Sequence, residues 1–453
     1  MIINRDIIRD DIVYDGHTKQ QICALINRWK RLLLYKYNLN KGDKVCVKLF
    51  PVDIEHVAVV IAIAELGMQV FLANKPVCME TIHATKMAIH GPVDLTIHDP
   101  EFMGEPLRPE HYEMVRRYSK KSCNRSEINE INDDTDLDEE IPVYPHDIFI
   151  STSTSGTSKT SRPINFTHHD AYFAVKTNAE QTIRLSEDSV SFNTVNMHHA
   201  GSMLAYLLPA LMTAKTHHSM WVAWNNIEEF TDKLIETQTD CTLVHAMHFD
   251  SVLASLERKK DRIQNRITFA VSGFPLTKEH YDYCKRVPVN FNTAYGATDI
   301  GGPFILFVDD TTEYIPNNIG KVVPGYNVSV HEDGTWVQSV MWNGERRKLE
   351  DKLECHGDYY TFIGRDEVLP KLFPIDFRPV LNDTFDDWIL LYNDNEQPAL
   401  VIWDEYEDID FSQSTVQLNR LCRKIVFLNK NDFMGETKLN MEQVRAYVKD
   451  YHG

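Results

Sequence analysis

Over roughly its first 300 residues this chain alternates between apolar spacing of helical period and short strand-like runs. Ile22, Leu25, Ile26, Trp29, Leu32 and Leu33 recur every three or four residues, which puts them on one face of a helix. Val45, Val47 and Leu49 then alternate as a strand does. The apolar stretch 54–66 reads as a second helix stopped by Gly67, and Val70, Phe71 and Leu72 supply the next strand. The pairing returns at 171–183 with 190–194, 227–237 with 242–244, 249–258 with 267–271, and 276–286 with 289–291. Parallel strands must be joined by a crossover of about a dozen residues or more, usually a helix. Repetition of this kind therefore specifies an α/β fold, with parallel sheets covered by helices.

Two stretches depart from the alternation. In residues 118–145, Lys120, Lys121 and Arg125 give way to Asp133, Asp134, Asp136, Asp138, Glu139 and Glu140, which reads as a surface loop or a linker between subdomains. From 304 to 363 strands dominate, with turns at Pro324-Gly325 and Asp333-Gly334, as in a small β-rich lobe. Beyond Arg365 the pattern is mixed again. Asn440 and Gln443 fit a capping box for a final helix whose apolar stripe is Val444, Tyr447, Val448 and Tyr451.

Charge excludes some functions. With 47 Lys and Arg against 66 Asp and Glu, the net charge of −19 argues against general nucleic-acid or anionic-membrane binding. The eight cysteines are scattered without a C-x-x-C pair, so neither a zinc site nor a disulfide framework is indicated, and reduced thiols fit a cytoplasmic location. The apolar run 57–64 falls far short of the ~20 residues of a membrane span. The opening MIINRDIIRDD mixes acids into its apolar residues and lacks a secretory apolar core.

The segment 154–168, TSGTSKTSRPINFTH, concentrates hydroxyls, a glycine, a lysine and an arginine between the apolar run Ile148, Phe149, Ile150 and a helix start. Hydroxyls, backbone N–H groups and cations at a strand-to-helix junction suit an anion such as a nucleotide phosphate. The same composition also serves ordinary solvated loops, and the glycine–lysine spacing of a Walker loop is absent.

This segment resembles the phosphate loop of the adenylate-forming superfamily (acyl-CoA synthetases, peptide-synthetase adenylation domains and luciferases), roughly TSGTTGxPKGVxxTH. Thr154, Ser155, Gly156, Thr157, Arg162, Ile164, Thr167 and His168 fall in register, while Lys159, Ser161 and Pro163 replace glycine, proline and glycine. Companions follow in family order. Val195 to Gly201 resembles P-x-x-H-x-x-G, with His198 in the histidine position, and Ser272-Gly273-Phe274-Pro275-Leu276 resembles the S-G-G-x-x-L turn. Tyr295-Gly296-Ala297-Thr298-Asp299 resembles YGxTE, and Gly320 to Gly325 resembles G-x-x-x-P-G. Gly357-Asp358 with Phe362-Ile363-Gly364-Arg365 resembles TGD and F-x-GR with a shortened interval. Thr437-Lys438-Leu439 sits where the family has G-K-[IL].

The resemblance implies a large N-terminal domain of two α/β lobes plus a β-rich lobe, residues 1–365, and a small α+β C-terminal domain, residues 366–453. It implies ATP and Mg²⁺. Thr154, Ser155, Gly156, Thr157, Ser158 and Arg162 would hold the β- and γ-phosphates. Gly273, Phe274, Pro275, Tyr295 and Gly296 would line the adenine site, and Asp358 would accept the ribose hydroxyls beside Arg365. Thr298 would bond the α-phosphate, Asp299 would bind Mg²⁺ with an arm one methylene shorter than the family glutamate, and His198 would lie near the acyl group. Lys438 would bridge substrate carboxylate and α-phosphate. The paired histidines His168-His169 and His217-His218 read as loop or core residues rather than ligands, there being no Cys or carboxylate at ligand spacing.

The implied activity is an AMP-forming ligase that activates a small-molecule carboxylic acid with ATP and passes it to CoA or to the phosphopantetheine of an acyl-carrier protein. Peptide-synthetase modules carry an F-D pair where this chain has Met197-His198, which favours a non-amino acid. Pro374 stands at a glycine of the loop used for thioester formation, so adenylation is better supported than thiol transfer. Two alternatives stay open: a carrier-loading adenylation domain for an amino or aryl acid (or transfer to an amine), and a non-catalytic nucleotide-binding protein on a decayed ligase fold.

Overall fold

The computed structural model describes residues 1–49, 53–72, 92–99, 101–102, 105–106, 119–137, 141–153, 163–183, 185–194, 197, 199–222, 226–244, 246–272, 276–297, 300, 302–308, 314–342, 345–349, 351–365, 388–392, 398–402 and 424–427. The chain divides into two compact units, Met1–Glu367 and Val368–Gly453.

In the first unit the strands run β1 Val13–Tyr14, β2 His17–Thr18, β3 Lys44–Lys48, β4 Gln69–Phe71, β5 Val93–His98, β6 Glu101–Phe102 and β7 Glu105–Pro106. They continue with β8 Ser119–Asn124, β9 Ile148–Ser153, β10 Pro163–Thr167, β11 Val190–Asn193, β12 Thr216–Ser219, β13 Cys241–Leu243, β14 Ile267–Ser272 and β15 Val289–Ala297. The β-rich part adds β16 Gly302–Val308, β17 Asn318–Val322, β18 Tyr326–His331, β19 Gly334–Ser339, β20 Arg346–Lys348, β21 Asp351–Cys355 and β22 Tyr360–Arg365.

Two sheets organise these strands. One has six strands in the order β10-β9-β4-β3-β5-β8, parallel except for β10. The other has eleven, in the order β2-β1-β12-β11-β13-β14-β15-β16-β17-β22-β21. From β1 through β12, β11, β13 and β14 to β15 it is parallel, and from β15 to β21 antiparallel. A smaller sheet, β18-β19-β20, completes the β-rich part. In the second unit Trp388–Tyr392, Pro398–Ile402 and Lys424–Phe427 form a three-stranded mixed sheet.

The sequence explains the connecting helices. Helix Lys19–Arg31 starts at Thr18, whose hydroxyl accepts the Gln21 N–H while the Gln21 side chain accepts the Thr18 N–H. This reciprocal cap satisfies donors that the first turn leaves free. The helix then buries Ile22, Ile26 and Trp29. Helix Ile54–Glu65 is apolar nearly all round and buried on every face, as a helix enclosed by other elements should be. Gly67 follows at φ +61°, where a side chain would be strained. Beneath the larger sheet Phe192, Phe230, Phe249, Phe269 and Phe291 pack together, while Val328, Val337, Trp342 and Leu353 form a separate core in the β-rich part.

One expectation is corrected. Much of 118–145 is built into the fold: β8 extends the six-stranded sheet by pairing parallel with β5, and a 3-10 turn, Arg125–Glu130, follows it. Only Cys123 of β8 is buried, so the strand's sequence reads as polar linker. Downstream, Asp136 receives Lys30 and Arg5, which also bind Glu65, and Arg31 pairs with Asp133. Asp133 and Asp136 are thus held against helix Lys19–Arg31 by Arg31 and Lys30.

Candidate active site

Parallel strands that point the same way gather their following loops at one edge, and open α/β sheets bind ligands there. Strands β11, β13, β14 and β15 are adjacent, with Asn193 opposite Leu243, Leu243 opposite Ala270, and Ser272 opposite Ala294. Their carboxyl ends lead into the segments containing His198, Gly273 to Pro275, and Tyr295 to Asp299. Three motifs far apart in sequence therefore leave the same edge of one sheet.

The hydroxyl-rich loop is anchored in the other sheet. It leaves at Ser153 and returns at Pro163, and these two residues are partners in the β9–β10 pair. Pro163 opens an edge strand, the position in a sheet where the missing N–H costs least. The motif's last residues are scaffold. Thr167 caps helix His168–Asn178 by accepting the Asp170 N–H, and the Asp170 carboxylate accepts the Thr167 N–H. His168 is fully buried, its Nδ1 accepting the N–H of Ile3 at 3.1 Å and its ring 5.2 Å from that of Phe149. Burial pushes its imidazole down to about 4, so it is neutral at pH 7. His217 is likewise a core residue, beside Tyr14 and Ser191.

Tyr295, near the end of β15, donates its phenolic O–H to Oδ2 of Asp351 at 2.6 Å. Its ring lies 6.3 Å from that of Phe362 on β22. Asp351 begins β21 and is the register partner of Arg365, the last residue of β22. Asp358 is elsewhere. Gly357 and Asp358 form the tip of the β21–β22 hairpin, where Gly357 has φ +81° and the His356 N–H bonds the Tyr359 carbonyl. The Asp358 side chain is 71% exposed and ion-paired with Lys321, which holds its carboxyl below the usual range. The structure therefore joins Tyr295 with Asp351, and Asp351 in register with Arg365, while Asp358 stands at the turn. Asp351 escaped the sequence reading because Gly-Asp matched the expected motif by itself. The spacing back from Arg365 across a hairpin was the signal that could have found it.

Of the other residues singled out, Thr154, Ser155, Gly156, Thr157, Ser158, Arg162, His198, Gly273, Phe274, Pro275, Thr298, Asp299, Pro374 and Lys438 lie outside the described residues. Gly296 continues β15 and is exposed. Met197 is fully buried in the core, and His199 accepts the Gly201 N–H at the start of a helix. No group of three or more His, Cys, Asp or Glu side chains is gathered among the described residues, and none of their helices is long and apolar enough to cross a membrane.

Comparison with known proteins agrees with this architecture. The chain matches the AMP-binding enzyme family over residues 12–340. Among solved structures, O-succinylbenzoate coenzyme A synthetase from Bacillus subtilis, in complex with AMP, superposes with a TM-score of 0.68 at 14% identity, covering 100% of this chain and 96% of that one. A benzoate CoA ligase from Burkholderia xenovorans gives 0.67 at 14%, covering 96% of each chain. An anthranilate CoA ligase in complex with anthranoyl-AMP gives 0.66 at 14%, covering 96% and 93%. No curated protein matches the sequence. At such identity the superpositions establish the fold, and the family match extends over most of the first unit: the chain belongs to the AMP-binding enzyme family of the adenylate-forming superfamily.

Proposed function

We propose that this protein is an ATP-dependent, AMP-forming carboxylate ligase. A carboxylate is a poor acyl donor because its leaving group would be oxide. In the proposed first step a carboxylate oxygen attacks the α-phosphorus of ATP. An acyl C–O–P linkage forms, the bond to the β-phosphate bridge breaks, and pyrophosphate leaves. In the second, a thiol sulfur attacks the acyl carbon, its proton is released, and AMP departs.

The observation that carries this reading is the shared edge at the carboxyl ends of β11, β14 and β15, with Tyr295 bonded to Asp351. We assign the ribose carboxylate to Asp351 in place of Asp358, because Asp351 touches Tyr295 and is in register with Arg365. The loop 154–162, including Thr154, Ser155, Gly156, Thr157, Ser158 and Arg162, takes the β- and γ-phosphates, supported by its anchoring at Ser153 and Pro163. Gly273, Phe274, Pro275, Tyr295 and Gly296 line the base. Thr298 bonds the α-phosphate, and Lys438 neutralises the two anions that must meet. Mg²⁺ would be held through substrate phosphates and Asp299, supplying charge neutralisation when bound. His198 is assigned to the acyl side, and Met197-His198 in place of the F-D pair supports a non-amino acid as substrate. CoA or a carrier phosphopantetheine is the proposed acceptor, and a cytoplasmic location fits the acid, nucleotide and thiol involved.

The test is ATP–pyrophosphate exchange across a panel of fatty, aryl and amino acids. Exchange with at least one acid is expected; a folded protein that exchanges with none would overturn the ligase reading. The departures at Lys159, Asp299 and Pro374 favour a second reading, a nucleotide binder without turnover. Calorimetric binding of ATP with no exchange distinguishes it.

A further inference from the structure

We infer that the hydroxyls of Thr194 and Tyr206 are positioning groups for the acid: by tying the chain on both sides of His198 to strands β11 and β13, they set how tightly the carboxylic acid is held and leave nucleotide binding alone. The inference rests on the ligase reading above and on the assignment of His198 to the acyl side.

Strands β11 and β13 pair over only three residues, Ser191 with Cys241, Phe192 with Thr242 and Asn193 with Leu243. Where that ladder ends, a side chain continues it. Thr194, the residue after β11, is buried and donates its hydroxyl to the Leu243 carbonyl at 2.5 Å. The chain then passes His198 and enters a helical run, Ala200–Ser202, Met203–Leu207 and Leu208–Thr213. From that run Tyr206 reaches back to the same two strands. Its hydroxyl lies 3.1 Å from the Phe192 carbonyl oxygen and 2.9 Å from that of Cys241, which share its one proton. The ring packs with Ile183, Cys241 and Ala270.

The local sequence shapes this return. Pro209 has no N–H to give the Ala205 carbonyl, and the turn before it is a wide π turn in which the Leu208 N–H bonds the Met203 carbonyl. Between the two hydroxyls, His199 accepts the Gly201 N–H on Nδ1 at 3.1 Å and the Met203 N–H on its carbonyl at 3.0 Å. Met197 is fully buried. The neighbours of His198 on either side are therefore fixed, and the chain beyond each is bonded to carbonyls of β11 and β13. A segment ordered in advance costs the acid little on binding; a loosened one must be ordered as the acid arrives, and that cost falls on its affinity.

The experiment uses the full chain as wild type, Thr194→Val, Thr194→Ser and Tyr206→Phe. ATP–pyrophosphate exchange at saturating ATP gives kcat and KM for octanoate, benzoate and phenylalanine, and for any other acid of the panel that wild type uses; calorimetry gives the ATP dissociation constant. Thr194→Val and Tyr206→Phe keep the shape and packing of the side chain without its hydroxyl. Each should raise the acid KM by about three- to tenfold, with ATP affinity within about twofold of wild type. Thr194→Ser, which restores the donor, should return KM to within about twofold. A merely structural bond would lower the thermal midpoint and leave the acid KM where it was. A wild-type KM in either variant overturns the role of its hydroxyl, and weakening of ATP in step with the acid overturns the inference as a whole, while the ligase reading stands. Wild type that exchanges with no acid overturns both. If Tyr206→Phe does not fold by circular dichroism, the wild-type KM in Thr194→Val is the overturning result.

Discussion

The main-chain N–H of Ile3 donates to Nδ1 of His168 across 165 residues of sequence, tying the start of the chain to the helix that follows the hydroxyl-rich loop. The imidazole must stay neutral to accept that bond. Burial keeps it so, and Nε2, on the far side of the ring, has no hydrogen-bond partner among the described residues. His217 is alike, pushed by burial down to about 3.

Acid should therefore destabilise the fold well before carboxylates titrate. Above pH 6.5 these imidazoles are neutral in both states. Below it the unfolded chain takes up protons that the folded chain refuses, so stability falls with pH until the folded sites titrate near 4 and 3. The full effect is on the order of 3–5 kcal/mol per histidine, at ~1.4 kcal/mol per pKa unit. Denaturant unfolding between pH 7 and 5 measures the slope. His168→Gln, which retains an acceptor but does not titrate, should flatten it; an equal slope in the variant would exclude His168 as its source.

The two candidate ribose carboxylates give opposite expectations. Asp351→Asn should weaken ATP by about tenfold or more, since a charged acceptor is lost. Asp358→Asn removes an exposed ion pair with Lys321, and affinity should stay within about twofold. Calorimetric titration of both variants decides the matter, and the reverse ranking would return the role to the hairpin tip.

Two separate features favour glycine at Gly325. Its φ is +90°, and an added Cβ would come 2.5 Å from Cζ of Phe173, on the helix after the hydroxyl-rich loop. Gly325→Ala should cost about 2 kcal/mol or more through strain and displaced packing. A thermal midpoint equal to wild type would show that the turn relaxes freely.

The strand–helix alternation was legible because β11, β13, β14 and β15 lie inside a parallel sheet and carry apolar residues such as Phe192, Phe269 and Phe291. Strand β8 was not, because at a sheet edge it buries Cys123 while exposing Lys120 and Lys121. Helix ends drifted for the usual reason of fraying and capping: the stretch 276–286 is helical only at Lys278–Cys284. At the site, the motifs read from the sequence follow β11, β14 and β15, whose carboxyl ends share one edge of the sheet. The Tyr295–Asp351 contact was invisible, since it depends on hairpin register and on the curl of four successive strand pairs.

Lys438 provides the decisive mutational test of catalysis. Adenylation brings a carboxylate against the α-phosphate of a nucleotide that is already anionic, within a chain of net charge −19. The approach of two anions needs a cation between them, and a lysine supplies a compact charge on a flexible stem. Lys438→Ala should therefore lower ATP–pyrophosphate exchange by about 100-fold or more, the scale on which a lost electrostatic donor acts. Binding of ATP, which the proposal assigns to loop 154–162, Tyr295 and Asp351, should fall by no more than about threefold, the effect of losing one solvent-screened ion pair while those contacts remain. Exchange at the wild-type rate would reject Lys438 as the bridging cation. Loss of nucleotide binding together with exchange would instead make it part of the triphosphate cradle.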